Sequence, residues 1–239
     1  MPAPRSRGCY LPDVTGGWER WVHLYEFRVG DLPGPGDREL LRDEELARAS
    51  HIADPVRRAR FVARRAALRE ILSGYAGQRP HDVDLRSSGV CFSCSHSQDV
   101  AVVAVARRPV GVDVEVEKHR RAPERIAARM FCAEERAVLD AVDGDVRRHL
   151  FHRCWVAKEA YAKGLGRGLG MRFDGFSVAA ALCSWDEAGR VDDPLVEGEE
   201  WSVAVATMGD THTAVAAMGS DWTVQRRPLH RPAAEVPVA

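Results

Sequence analysis

Two carboxylates spaced two residues apart, in the segment Gly111–Val116 (GVDVEV), could together bind a cation. On an extended strand Asp113 and Glu115 point to one face, while the valines between them point to the other. Neighbouring like charges raise each other's pKa unless a cation shares them, and Mg²⁺ typically takes one or two carboxylates plus substrate phosphates. The solvated face of an antiparallel strand produces the same pattern, and for this segment alone it is the favoured explanation.

A second segment, Trp155–Gly164 (WVAKEAYAKG), combines an acid with two lysines in an apolar setting. In a helix Glu159 and Lys163 are four residues apart and share a face. Most such pairs are weak surface ion pairs. However, Lys158 and Lys163 are two of only three lysines among 34 basic residues. Lysine is a compact point charge, whereas arginine is a planar fork. The presence of lysine at these two positions therefore indicates a specific role, with chance as the alternative.

Hydroxyl groups and an imidazole cluster in the segment 92–97 (FSCSHS), where they could bind phosphate oxygens. A serine-rich turn with local hydrogen bonds is the more frequent explanation for such a segment. Cys91 and Cys94 followed by His96 give only a weak zinc signal, because no second pair stands at ligand spacing. A Ser-His-acid triad is conceivable but lacks a nucleophile elbow. The arginines of 57–69 mostly indicate a solvated helix face, with one or two free to bind anions.

The elements that must position these residues follow from the hydrophobic pattern. We predict helices at 38–50, 55–74, 123–142 (with a break near Phe131) and 147–164. We predict strands at 21–29, 90–97, 100–106, 110–116, 173–181, 201–207, 212–218 and 222–226. This order predicts two similar α+β halves joined near residue 107.

The composition restricts the class of protein. The chain has 239 residues, a formal net charge of -1, 45% hydrophobic residues and 29% charged residues, which excludes a disordered chain or a small disulfide scaffold. Apolar runs fall short of the roughly 20 residues of a membrane helix, and the dispersed basic residues lack the aromatic interleaving of a nucleic-acid surface. We therefore expect neither a membrane nor a nucleic acid as partner. The first residues show no secretory signal, so we expect a cytoplasmic protein with reduced cysteines.

Four motifs in this order resemble those of the Sfp-type 4′-phosphopantetheinyl transferases. They are SHS at 95–97, GVDVE at 111–115, FCAEE at 131–135 and WVAKEAYAKGLGRGL at 155–169. The arginine-rich helix and the DGFSV segment at 174–178 also fall where the family has counterparts. The resemblance extends from about residue 40 to residue 218.

The resemblance implies an α+β fold of two pseudo-twofold halves in a monomer. Residues 1–106 would contact the coenzyme A nucleotide, residues 107–227 would carry the magnesium and catalytic residues, and 228–239 would form a flexible tail. Coenzyme A would bind between the halves. The implied enzyme is a holo-[acyl-carrier-protein] synthase that transfers the 4′-phosphopantetheine arm of coenzyme A to a serine of an apo acyl or peptidyl carrier protein, releasing 3′,5′-ADP. Polyketide and nonribosomal peptide carriers are the expected partners, with fatty-acid carriers as an alternative.

The resemblance also implies roles for individual residues. Asp113, Glu115 and Glu159 match the Mg²⁺ ligands, with Glu159 also the expected base. Further implied catalytic residues are Lys158, Lys163 and Glu135, and the implied phosphate contacts are Ser95, His96, Arg48 and Arg60. Three features depart from the family. The segment 79–90 lacks the usual Gly-Lys-Pro loop, Cys132 stands where a capping Ser or Thr is usual, and Glu44 or Glu45 stands near the first helix where a basic residue is usual.

Two other functions are weighed against this one. The first is another Mg²⁺-dependent transferase that uses a different pyrophosphate donor. The second is a non-catalytic anion- or RNA-binding module built on the arginine-rich helix. Such a module has no need of Asp113, Glu115 and Glu159 together, so we favour the transferase.

Overall fold

The computed structural model describes residues 18–32, 36–86, 88–117, 123–182, 188–194, 196 and 198–229. Residues 1–17, whose Pro, Gly and Arg content predicts a loose leader, lie outside these described residues. So do nearly all of the expected tail at 228–239 and Lys118, the third lysine of the chain. No helix in the described ranges is both long enough and apolar enough to cross a lipid bilayer.

The described chain is a mixed α+β protein with two four-stranded sheets, as the α+β expectation required. Its helices are α1 (Asp43–Ser50), α2 (Pro55–Ala76), α3 (Pro123–Met130), α4 (Ala133–Asp140), α5 (Gly144–Gly164) and α6 (Ala179–Leu182). Its strands are β1 (Trp21–Arg28), β2 (Cys91–Ser97), β3 (Val100–Ala106), β4 (Val110–Val116), β5 (Gly189–Arg190), β6 (Trp201–Met208), β7 (Thr211–Met218) and β8 (Thr223–Arg227). The first sheet has the order β2-β3-β1-β8 and the second has the order β4-β7-β6-β5.

The chain divides into two compact units, and each is considered by itself. One unit contains Arg28–Val90, and the other contains Glu19–Phe27 together with Cys91–Pro228. The second unit therefore holds nearly all of both sheets. The boundary predicted near residue 107 lies within this unit, in the turn between β3 and β4. The division into pseudo-twofold halves and the monomeric state stay predictions.

The first unit is dominated by the long helix α2. Its start is the predicted one, because the Asp54 carboxylate accepts a 2.7 Å hydrogen bond from the Arg57 backbone and Pro55 occupies the first turn. The helix continues to Ala76 and ends at Gly77, whose φ of +63° suits glycine. The predicted end at Gly74 was therefore too early.

In the second unit, helix α5 packs directly against β4. A Cβ added at Gly111 would lie 1.9 Å from the Ala160 carbonyl oxygen and 2.4 Å from the Gly164 backbone nitrogen. The valines on the other face of β4 enter a separate apolar cluster with Val22 and Val102. The absence of a side chain at Gly111 thus allows α5 to approach the strand that carries both carboxylates.

Of two further elements predicted in this unit, one is confirmed and one is wrong. The helix predicted at 123–142 divides into α3 and α4 around Phe131, as the predicted break required. The strand predicted at 173–181 is wrong: this segment forms a 3₁₀ turn (Phe173–Gly175) and α6. The carbonyl oxygens of Phe173 and Phe176 accept hydrogen bonds from the Lys158 ammonium. A buried cation thus satisfies two backbone carbonyls of this segment, and Ser177 pairs with Asp192 in an isolated antiparallel bridge instead of a longer strand.

Candidate active site

Asp113 is the most deeply buried carboxylate of the predicted metal set, with 5% of its surface exposed. Its Oδ1 atom accepts hydrogen bonds of 2.6 Å from the Ser95 hydroxyl and 2.6 Å from the Lys163 ammonium. Its Oδ2 atom is also buried, yet has no hydrogen-bond partner among the described residues. A buried anionic oxygen without a partner is costly, so this atom suits a cation.

The serines of β2 hold the carboxylates of β4 in place. Ser97 donates a 2.7 Å hydrogen bond to Glu115, just as Ser95 donates to Asp113. The backbone N–H groups of Val112 and Val116 donate to the hydroxyls of Ser93 and Ser97. Strands β2 and β4 are edge strands of different sheets, and these side chains connect them. Sequence reasoning missed this role, although serines at every second position were a visible signal for it.

The third carboxylate of the set comes from α5. Burial raises the pKa of Glu159 from its ordinary value of 4.5 to about 7, and the charges of Asp113 and Glu115 add to this rise against the opposing effect of Lys163. Burial likewise raises the pKa of Asp113, while Lys163 and Ser95 oppose the shift. The three carboxylates therefore form one electrostatic group with more negative charge than Lys163 neutralises.

This group fits a divalent cation on the chemistry of its donors. It offers three carboxylates, and the Asp113 carboxylate carries the unpartnered Oδ2 atom. Hard oxygen ligands of this kind are those that Mg²⁺ prefers. The ligand atoms of these three carboxylates do not all lie within 4.8 Å of one another. Among the described residues, that spacing occurs in a different group, formed by Glu117, His149 and His212. Lys163 already stands beside Asp113, so part of the charge compensation is built into the fold.

Lys158 and Glu135, expected to be catalytic, form a buried ion pair. Both side chains are 0% exposed, and the Lys158 ammonium lies 2.8 Å from Glu135 Oε1. The ammonium also donates to two backbone carbonyls, and the Glu135 carboxylate accepts from the backbone N–H groups of Cys132 and Val178. The Glu135 carboxylate thus caps α4 at the position where the Cys132 thiol makes a poor cap. These contacts give the pair a structural role, and its catalytic role stays a prediction.

The remaining predicted residues occupy three different places. Ser95 and His96 are neighbours on β2 and therefore point to opposite faces, so Ser95 reaches Asp113 while His96 is exposed. Arg48 and Arg60 belong to the first unit, where the Arg48 guanidinium lies 5.5 Å from the centre of the Phe61 ring. Their expected phosphate contacts stay predictions.

The fold and the site together define a mixed α+β protein with an oxygen-rich, partly buried group of carboxylates beside a lysine. The sequence model of the 4′-phosphopantetheinyl transferase superfamily matches residues 109–216. This range includes Asp113, Glu115, Glu159 and Lys163. The 4′-phosphopantetheinyl transferase HetI of Nostoc sp. is 37% identical over 220 residues, which cover 84% of this chain and 89% of that protein. The chain therefore belongs to the 4′-phosphopantetheinyl transferase family.

Other similarities are shorter. The 4′-phosphopantetheinyl transferase Sfp of Bacillus subtilis (strain 168) is 36% identical over 87 residues, covering 36% of this chain and 38% of that protein. A solved holo-(acyl-carrier-protein) synthase from Bacillus anthracis, in complex with CoA (3′,5′-ADP), aligns with a TM-score of 0.36 and 19% identity. That alignment covers 47% of this chain and 96% of the synthase.

Proposed function

We propose that this protein transfers the 4′-phosphopantetheine arm of coenzyme A to a serine of an apo acyl or peptidyl carrier protein, releasing 3′,5′-ADP. The family assignment and the similarity to HetI over most of both chains support this reaction. The observation that carries the proposal is the buried, unpartnered Oδ2 atom of Asp113, in a group with Glu115 and Glu159. A non-catalytic binding module has no use for this arrangement.

Asp113, Glu115 and Glu159 would hold one Mg²⁺ ion. When bound, the ion supplies Lewis-acid neutralisation of the charged pyrophosphate of coenzyme A. Ser95 and Ser97 orient two of the three carboxylates through their hydrogen bonds. Such outer contacts fix the direction of ligand oxygens, so they favour one geometry of the site.

Lys163 would stabilise the charge that develops on the leaving phosphate. Its ammonium is held by Asp113 at 2.6 Å and by Ser95 at 2.9 Å, and its side chain remains 29% exposed. A cation fixed in advance stabilises a developing anion without reorganisation during the reaction. In the transfer, the carrier serine oxygen forms a bond to phosphorus while the bond from phosphorus to the 3′,5′-ADP oxygen breaks.

Glu159 would accept the proton of the carrier serine, directly or through a water molecule. In the metal-free site burial raises the pKa of Glu159 to about 7. A bound Mg²⁺ ion would lower this pKa again, because a nearby cation favours the ionised form that can accept a proton. The same residue would therefore combine cation binding with proton transfer.

Several finer assignments belong to this proposal. We place nucleotide contacts at Ser95, His96, Arg48 and Arg60 within residues 1–106, and the reacting groups within residues 107–227. We also propose a cytoplasmic, monomeric enzyme that serves carrier domains of polyketide or nonribosomal peptide assembly. Carrier proteins of this kind are typically acidic, and arginines on α2 would attract them although the net charge is only -1.

Mass spectrometry of a carrier protein tests this function. Apo carriers are incubated with the full chain, coenzyme A and Mg²⁺, and each is expected to gain the mass of one phosphopantetheine arm. A carrier whose acceptor serine is replaced by alanine, and a reaction with a chelator, should show no gain. An unchanged mass on every carrier of a panel that a known transferase modifies would refute the proposal.

A further inference from the structure

A second group of metal-ligand side chains lies close to the candidate magnesium carboxylates but uses different residues. It consists of Glu117, His149 and His212, whose ligand atoms all lie within 4.8 Å of one another. Glu117 follows the end of β4, His149 belongs to α5, and His212 belongs to β7. We propose that these three residues form a binding site for a first-row transition-metal ion of the zinc type.

Two imidazoles meet a single carboxylate oxygen in this cluster. The Nδ1 atom of His149 and the Nε2 atom of His212 each lie 2.9 Å from Oε1 of Glu117. Ligand atoms of a tetrahedral zinc ion are about 3.3 Å apart when the bonds to the metal are about 2.0 Å. Both observed separations are slightly shorter, so a small movement of each ring away from the Glu117 oxygen would admit an ion.

The groups around the cluster hold its members in orientations suited to a metal. His212 is 0% exposed, and its second ring nitrogen lies 3.0 Å from the Thr207 hydroxyl. A histidine ligand usually donates its other N–H to such a partner, which directs the lone pair of the first nitrogen toward the ion. The second oxygen of Glu117 accepts a 3.2 Å hydrogen bond from Arg148. These hydrogen bonds therefore orient the His212 ring and the Glu117 carboxylate before any ion binds.

The solvent exposure of the cluster and the types of its donor atoms further define which metal ion it would bind. The His149 side chain is 40% exposed, whereas that of Glu117 is 8% exposed, so the cluster opens to solvent at the His149 ring. Two nitrogen donors and one carboxylate, with a position open to water, match the sites that bind zinc, whereas magnesium prefers oxygen donors. The two neighbouring sites would thus select different metals, and an ion here would tie β4, β7 and α5 together.

Cobalt provides a visible probe of this site, because Co²⁺ with few ligands absorbs strongly in the visible range whereas octahedral Co²⁺ absorbs weakly. The full chain, freed of metals, is titrated with Co²⁺ and then with Zn²⁺. We expect strong absorption at one equivalent of Co²⁺, its loss on adding Zn²⁺, and no effect of excess Mg²⁺. Only weak octahedral absorption in the wild-type chain would overturn the proposal.

Variants locate the ion. His149→Asn should fold, since His149 is partly exposed at the surface, and should weaken Co²⁺ binding at least about 10-fold. His81→Asn, a matched change at an exposed histidine of the other unit, and Asp113→Asn, in the candidate magnesium set, should bind like the wild type. Wild-type binding by His149→Asn, or loss of binding by Asp113→Asn alone, would refute the site. The readout does not depend on transfer activity, so it is separate from the test of the proposed function.

Discussion

The Lys163 ammonium lies 2.6 Å from Oδ1 of Asp113, which joins helix α5 to strand β4 at the centre of the candidate site. The same ammonium donates to Ser95 at 2.9 Å, so one point charge connects a carboxylate and a hydroxyl from two different strands. The other oxygen of Asp113 is left for a further cation.

Replacement of Lys163 by arginine tests the need for a point charge. The guanidinium is larger and planar, and it cannot place a single charge between Asp113 and Ser95 in the same way. We expect Lys163→Arg to fold normally but to lower the transfer rate by about 100-fold, the lower end of the loss seen when one transition-state contact is removed. Arg167→Lys, a reciprocal change at an exposed residue just after α5, should keep the wild-type rate. Full activity in Lys163→Arg would show that any cation suffices.

The Lys158–Glu135 ion pair is expected to stabilise the fold. Lys158→Met leaves the Glu135 carboxylate buried without its cation, which should lower the free energy of unfolding by about 3–5 kcal/mol. The double variant with Glu135→Gln should lose less than the sum of the two single variants. Urea unfolding measures all three changes.

An exposed ion pair provides the control for that experiment. Arg172 and Asp174 lie 2.9 Å apart with side chains that are 79% and 43% exposed. Arg172→Met should leave the unfolding midpoint nearly unchanged, because water already solvates both charges. An equal loss of stability in Arg172→Met and Lys158→Met would contradict a special role for the buried pair.

The contact between α5 and β4 can be tested at Gly111. Gly111→Ala places a methyl group 1.9 Å from the Ala160 carbonyl oxygen, which forces the helix away from the strand. We expect a loss of about 3 kcal/mol or more in the free energy of unfolding, at the upper end for overpacking. Gly170→Ala is the matched control, since a methyl group there meets nothing within 4 Å. Thermal melts of both variants decide the point, and a stable Gly111→Ala would refute this close packing.

His23 should make the protein less stable in acid. Burial and the charge of Arg227 lower the pKa of His23 from its ordinary value of 6.5 to about 4. Between these two values the unfolded chain binds a proton that the native chain does not, so the free energy of unfolding falls as the pH is lowered from 6.5 to 4. The slope from this residue reaches about 1.4 kcal/mol per pH unit.

Denaturant unfolding at several pH values measures this effect. His23→Gln should flatten the slope between pH 6.5 and 4, whereas His51→Gln, at an exposed position, should not. An identical pH dependence in His23→Gln and the wild type would show that another group controls acid stability.

Sequence patterns were most informative where the chain alternates or repeats locally. The period-two pattern at Asp113 and Glu115 predicted β4 and its acidic face. Glu159 and Lys163 lie in α5 as predicted, close enough that the charge of Lys163 lowers the pKa of Glu159. The segment 173–181 was mispredicted as a strand, because two of its backbone carbonyls accept hydrogen bonds from Lys158, a residue outside the segment.

Features built from distant residues were beyond the reach of these patterns. Glu117, His149 and His212 meet only because α5 packs on β4 and β7, and none of them stands at a recognisable ligand spacing. The buried pairing of Lys158 with Glu135 is equally nonlocal, so their motif positions did not predict this ion pair.

The most direct test of the account is the transfer rate as a function of Mg²⁺ concentration for the wild type, Asp113→Ala and Glu159→Ala. Circular dichroism confirms that each variant is folded. We predict a rate that saturates with Mg²⁺ in the wild type, and at least about a 100-fold loss in each variant that added Mg²⁺ does not restore. Wild-type rates and the same Mg²⁺ dependence in folded Asp113→Ala or Glu159→Ala would contradict the proposed ligand set.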